Sequence, residues 1–220
     1  MDEIKNRRPL SVRDSALAKK TAHWLSQKNI TPNQISIISI FFAAAAAICL
    51  LWIPQTSGDM AWIVPVLAAL FIQTRLLCNL FDGMVAVEGG KKTRSGELFN
   101  DIPDRIADPL ILVSAGYAIS IVSWGGALGW CAGLLAILTA YVRTLSASIG
   151  APVNFQGPMA KQHRMALMTA ACLFAAAEAY FGLTGYAFFI ALIVIIFGSM
   201  LTAYRRTMTA YRFLESDQHV

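Results

Sequence analysis

Charge is scarce in this chain. Only 14% of its 220 residues are Asp, Glu, Lys or Arg, against 56% hydrophobic, whereas a soluble domain carries about 25% charged residues. That shortage excludes an ordinary water-soluble surface and points to an integral membrane protein. Histidine is rarer still, with three residues. His23 and His219 lie in surface segments, and His163 is a lone histidine beside basic residues, read as a surface group rather than a catalytic one. Cysteine is equally uninformative. Cys49, Cys78, Cys131 and Cys172 are scattered one to an apolar segment without metal-ligand spacing, so they read as small packing residues rather than disulfides or zinc ligands. No apolar run opens the chain. The first starts at Ile35, after a long polar and basic segment, and a cleaved signal peptide is not expected. There is no internal repeat and no low-complexity linker.

What is present is a series of apolar stretches, roughly 35–53, 61–82, 104–122, 129–147, 165–181 and 186–203. Each approaches the ~20 residues that one helical span of a bilayer needs. They predict an all-α integral membrane fold, a six-transmembrane-helix bundle with no room for a separate soluble domain. Of the 18 Lys and Arg residues, seven precede the first span, three lie at 91–94, two at 161–164 and three at 205–212. The loops at 55–60, 123–128 and 182–185 contain none. The positive-inside rule then places both termini and the loops at 88–100 and 148–164 in the cytoplasm. The net charge of +5 is explained by basic flanks facing anionic headgroups and requires no nucleic acid.

Three regions follow: a cytoplasmic segment 1–30, a membrane domain 31–204 and a cytoplasmic tail 205–220. In the first, "LSVRDSALAKKTAHWLSQKN" mixes Leu10, Val12, Leu17, Trp24 and Leu25 with Arg13, Lys19, Lys20 and Lys28. That pattern suits a basic amphipathic helix lying on the inner membrane surface. At "ITPNQIS" the chain turns into the bilayer, with Thr31 as N-cap, Pro32 at the first helical position and Gln34 completing a capping box. "AAAAA" at 43–47 reads as a close helix-packing surface. Glu178 reads as a solvated helix end near the outer surface.

Polar residues interrupt the second and third spans, where a charge near the bilayer centre costs roughly 2.5–3.5 kcal/mol and therefore tends to be functional. At about 100° per residue, Arg75, Asn79, Asp82 and Ala86 fall within an arc of roughly 60°. Asn100, Asp101, Asp104 and Asp108 fall within roughly 100° on the next helix. Two oxygen-rich stripes thus converge, with the hard donors that Mg²⁺, Mn²⁺ or Ca²⁺ require. Gly83, Ala86, Gly89, Gly90 and Gly96 leave room there for a ligand. Arg143, Lys161 and Arg164 supply cations suited to phosphates, or to anchoring at the inner interface.

The stretch "NLFDGMVAVEGGKKTRSGELFNDIPDRIAD" resembles the signature of the CDP-alcohol phosphotransferase (CDP-alcohol phosphatidyltransferase) family, D-x2-D-G-x2-A-R-x8-G-x3-D-x3-D. It places Asn79, Asp82, Gly83, Ala86, Val87, Gly96, Asn100 and Asp104 on the pattern with every spacing kept. The resemblance implies transfer of a phosphoalcohol, often phosphatidyl from CDP-diacylglycerol, to an acceptor hydroxyl with release of CMP, in phospholipid biosynthesis. It further implies one or two Mg²⁺ or Mn²⁺ ions on the diphosphate, held by the residues at 79, 82, 100 and 104, with Asp104 as base. Arg75, Gly83, Ala86, Gly96, Arg143, Lys161 and Arg164 are the substrate-side candidates. It also implies a homodimer, and a bacterial inner membrane with the active site facing the cytoplasm.

Three positions depart from the signature. Asn79 and Asn100 replace the first and third aspartates, and Val87 replaces the arginine, so the four signature positions carry two negative charges rather than four. In this the chain resembles a less characterised bacterial branch with asparagine at the same two places. Asp101 and Asp108 are the residues available to restore the charge, with Asp108 slightly favoured because it continues the Asp104 stripe. The alternative is a catalytically silent member that binds a CDP-lipid or a protein partner. A transporter using buried acids would not require the glycine and alanine spacing.

Overall fold

The computed structural model describes residues 15–28, 30–91, 93–152, 157–183 and 185–217. Leu10, Val12, Arg13, Lys92 and His219 lie outside the described residues, as does the side chain of Leu17. The elements run α1 (Ala16–Gln27), α2 (Pro32–Trp52), α3 (Met60–Glu88), α4 (Gly96–Tyr117), α5 (Gly125–Ser148), α6 (Lys161–Tyr180) and α7 (Ala187–Asp217). No strand occurs among the described residues.

The six apolar stretches become α2 to α7, but several helices run past them. α3 continues to Glu88 and α4 starts at Gly96, so Gly83, Ala86, Asn100 and Asp101 are all helical. α7 continues to Asp217, so most of the stretch expected as a tail is helix. Four segments, Pro32–Gln55, Met60–Val87, Gly125–Ser148 and Ala187–Ser216, are long and apolar enough to cross a membrane. α4 and α6 are less apolar because they carry charges, among them Asp101, Asp104, Arg105 and Asp108 on α4 and Lys161 and Arg164 on α6. Large apolar side chains point outward, including Phe41, Leu134, Phe174 and Phe197, each more than 60% exposed. An exposed surface of that kind suits lipid rather than water, and the chain is an integral membrane protein.

Local chemistry sets the helix starts. Thr31 Oγ1 accepts from Gln34 N–H at 3.3 Å while Gln34 Oε1 accepts from Thr31 N–H at 3.0 Å, so the expected capping box opens α2. Glu178 is more than a solvated helix end: it accepts from the N–H groups of Tyr186 and Ala187 at 2.9 and 3.2 Å, satisfying donors where α7 begins.

α2 packs against both α3 and α4, α5 against α4 and α7, and α6 against α3 and α7. Ala43, Ala46 and Ala47 are buried, and their small size permits that close approach. Glycine does the same between α4 and α5. A Cβ on Gly129 would lie 2.8 Å from the Leu112 carbonyl oxygen, closer than atoms in contact sit. Cys172 packs in the core, whereas Cys131 is exposed.

α1 lies against α3. It buries Ala18 and Ala22 with Leu80, Met84 and Val85 and leaves Trp24, Lys19 and Lys20 outward. Lys91 Nζ donates to the Ser26 carbonyl at 2.7 Å, which ties α1 to the α3–α4 connection.

Candidate active site

The ends of α3, α4 and α6 meet at one end of the bundle, and their polar residues form a connected cluster. Arg75, on α3, is fully buried. Its Nη2 lies 2.9 Å from Asp104 Oδ1 and 2.7 Å from Asp108 Oδ1, the latter without hydrogen-bond alignment. Nε and Nη1 of the same guanidinium have no hydrogen-bond partner among the described residues. One turn further along α3, Asn79 Nδ2 donates to Asp104 Oδ1 at 2.9 Å. Lys161, the first residue of α6, pairs with the other oxygen, Asp104 Oδ2.

Arg164 completes the inner half. Its Nη2 donates to Asp108 Oδ2 at 2.9 Å, and its Nη1 donates to Thr139 Oγ1 at 3.2 Å and to the Met159 carbonyl at 2.9 Å. Asp82 is buried beside the cluster, within electrostatic reach of Asp104 and Lys161. Ser36 Oγ on α2 donates to Asp82 Oδ2 at 2.6 Å and lies 3.1 Å from the Pro32 carbonyl. Burying so many charges is costly unless each is paired. Here Asp104 meets Arg75 and Lys161, Asp108 meets Arg75 and Arg164, and Asp82 accepts from Ser36.

The structure therefore brings together Arg75, Asn79, Asp82, Asp104, Asp108, Lys161 and Arg164. Asp101 pairs elsewhere: Arg143 Nη2 lies 2.9 Å from both of its oxygens, and Arg105 Nη2 lies 3.3 Å from Oδ2. Asn100 is exposed on the first turns of α4, while Gly83 and Ala86 are half-buried on α3 after Asp82. A Cβ on Gly96 would meet only Thr93 Oγ1, at 3.5 Å.

Ser36, Thr139 and Arg206 belong to this assembly without having been expected in it. Arg206 is buried, and its Nη1 donates to the Thr139 carbonyl at 2.7 Å. Thr139 thus stands between two arginines. A lone hydroxyl in an apolar helix commonly bonds its own backbone, so neither Ser36 nor Thr139 carried a distinguishing signal. Arg206 was covered by the positive-inside reading of 205–212.

Residues 29–204 match the family model of the CDP-alcohol phosphatidyltransferases. The chain belongs to that family. It is 27% identical over 198 residues to the phosphatidylinositol phosphate synthase of Streptomyces avermitilis, covering 87% of this chain and 76% of that protein. Its fold is similar to the crystal structure of Mycobacterium tuberculosis phosphatidylinositol phosphate synthase with CDP-DAG bound. That match has a TM-score of 0.71 and 16% identity, and covers 90% of this chain and 94% of that one. The same mycobacterial enzyme in complex with manganese and citrate matches with a TM-score of 0.69 and 17% identity, covering 88% of each chain.

The family implies a divalent metal, and the donor chemistry here fits one. Asp82 and Asp104 offer carboxylate oxygens, and Asn79 and Asn100 offer carboxamide oxygens on the same two helices, all hard donors. The fit has a condition. Among the described residues no three acidic, histidine or cysteine side chains gather to hold a metal, so any donor set draws on the asparagines. Asp104 meets its cations through both oxygens, and Asp108 does the same with Arg75 and Arg164. The charge of Asp108 is therefore matched inside the protein.

Proposed function

We propose that this chain transfers the phosphatidyl group of CDP-diacylglycerol, or the phosphoalcohol of a related CDP-alcohol, to an acceptor hydroxyl with release of CMP. The observation that carries this reading is Asp104, a buried carboxylate at the meeting point of Arg75, Asn79 and Lys161. Arg75 and Asn79 fix the Asp104 carboxylate in place, as a general base requires. In the reaction the acceptor oxygen bonds to the lipid-side phosphorus, and the bond from that phosphorus to the CMP oxygen breaks. The acceptor proton goes to Asp104, and CMP leaves with the bonding electron pair. Mg²⁺ or Mn²⁺ held by Asp82, Asp104, Asn79 and Asn100 would stabilise the charge that builds on the diphosphate. In this reading Lys161 supplies a cation to the phosphate oxygens, Arg164, buried against Asp108 and Thr139, supports the site from within, and the half-buried Gly83 and Ala86 leave room beside Asp82 for the nucleotide.

The site sits where α3 ends and α4 and α6 begin, the side rich in lysine and arginine. The reading therefore has all six long helices spanning the membrane, with the site and both termini on the cytoplasmic face of a bacterial inner membrane. One observation favours the second reading, a silent binding protein: both oxygens of Asp104 are already engaged by cations. Mass spectrometry of lipids from cells with and without the protein separates the two. Transfer predicts loss of one headgroup class when the chain is removed, and an unchanged lipid profile counts against it.

A further inference from the structure

Both oxygens of Asp104 are held by groups of this chain, Oδ1 by Arg75 and Asn79 and Oδ2 by Lys161, and that limits what the site accepts. We infer that this chain binds one divalent cation rather than two, and that the Lys161 ammonium and the Asn79 amide hold Asp104 where a second cation would otherwise be needed. The inference rests on the transferase reading and adds to it a stoichiometry and a role for Lys161.

Asn79 already holds one oxygen of Asp104. Its Nδ2 donates to Asp104 Oδ1 at 2.9 Å. An aspartate at 79 would set two carboxylates against each other at that range, an arrangement that needs a cation between them. The amide closes the same gap with a hydrogen bond and no ion. Lys161 holds the other. Its ammonium already covers Asp104 Oδ2, so a metal reaching that oxygen competes with a fixed positive charge.

The remaining acids do not alter this. Asp108 pairs with Arg75 and Arg164, and Asp101 with Arg143 and Arg105. The asparagines at 79 and 100 bring oxygen donors without charge. The diphosphate of a CDP-alcohol is substituted at both ends and carries one negative charge per phosphate. One divalent cation arriving with it matches those two charges. A second would add two positive charges to an assembly that already buries Arg75, Arg164 and Arg206, the situation that burial penalises most.

The test is Mn²⁺ binding to the purified full chain in detergent, followed by electron paramagnetic resonance of the free ion, with and without CDP-diacylglycerol, each against the same mixture lacking protein. One Mn²⁺ per chain at saturation with CDP-diacylglycerol is expected, and two per chain in the Asn79→Asp, Asn100→Asp double variant. Lys161→Met should tighten Mn²⁺ binding without CDP-diacylglycerol by at least about tenfold, because a like charge at contact range is removed. Lys161→Arg, which keeps the cation, should leave it near the wild-type value. Two ions per wild-type chain would overturn the inference, as would unchanged affinity in Lys161→Met. Two ions together with CMP release from CDP-diacylglycerol would overturn the stoichiometry and leave the transfer reading standing.

Discussion

The side-chain amide of Asn79 donates to Asp104 Oδ1 at 2.9 Å, across the junction of α3 and α4. It makes Asn79 a positioning group for the proposed base, whatever else it ligates. Asn79→Leu removes that bond and is expected to cost about 1 kcal/mol of stability, the net worth of a hydrogen bond. CMP release should fall far more than stability does. Thermal unfolding in detergent and a turnover assay on the same preparation check this, and equal turnover in the two proteins would remove Asn79 from the site.

Asp108 and Asp101 should differ sharply. Asp108→Ala leaves Arg75 and Arg164 buried and short of a counter-ion, a change expected to cost about 3–5 kcal/mol. Asp101 is 40% exposed and its partner Arg143 is 28% exposed, so Asp101→Ala should cost at most about 1 kcal/mol. Unfolding temperatures of the two variants, measured in one detergent, give the ranking. A less stable Asp101→Ala would contradict the assignment.

Gly129 tests how α4 is held. Its Cα passes so close to the Leu112 and Val113 backbone that an added methyl would sit 2.8 Å from both carbonyl oxygens. Gly129→Ala should therefore destabilise by about 1–3 kcal/mol as α5 is pushed off α4. Gly182→Ala is the contrast: there a Cβ meets nothing within 4 Å, and only the positive φ of 64° opposes it. Its unfolding temperature should fall less.

Much of this architecture was legible from the sequence because its causes are local. Long apolar runs become α2 to α7, and "ITPNQIS" becomes a capped helix start because Thr31, Pro32 and Gln34 each act within one turn. The stripes at Arg75, Asn79 and Asp82 and at Asn100, Asp104 and Asp108 were also visible, since helical spacing alone defines them. The partners of those stripes were not. Arg164 meets Asp108 from 56 residues away, and in sequence it looked like one more cytoplasmic cation. Helix spacing put Asp101 and Asp108 within reach of the metal site, but it could not show that Arg143 and Arg105 hold the first while Arg75 and Arg164 hold the second. Helix lengths were underestimated because the ends of α3 and α4 lose their apolar character before they lose the helix: α3 runs on to Glu88 and α4 starts at Gly96.

Phosphatidyl transfer is tested by release of CMP from CDP-diacylglycerol by the purified full chain in detergent. The assay supplies Mn²⁺ and a panel of polyols and polyol phosphates as acceptors. Release is expected with at least one acceptor, dependent on Mn²⁺ or Mg²⁺ and abolished in Asp104→Ala. A protein that binds Mn²⁺ with CDP-diacylglycerol yet releases no CMP with any acceptor, or an Asp104→Ala variant that turns over like wild type, would contradict it.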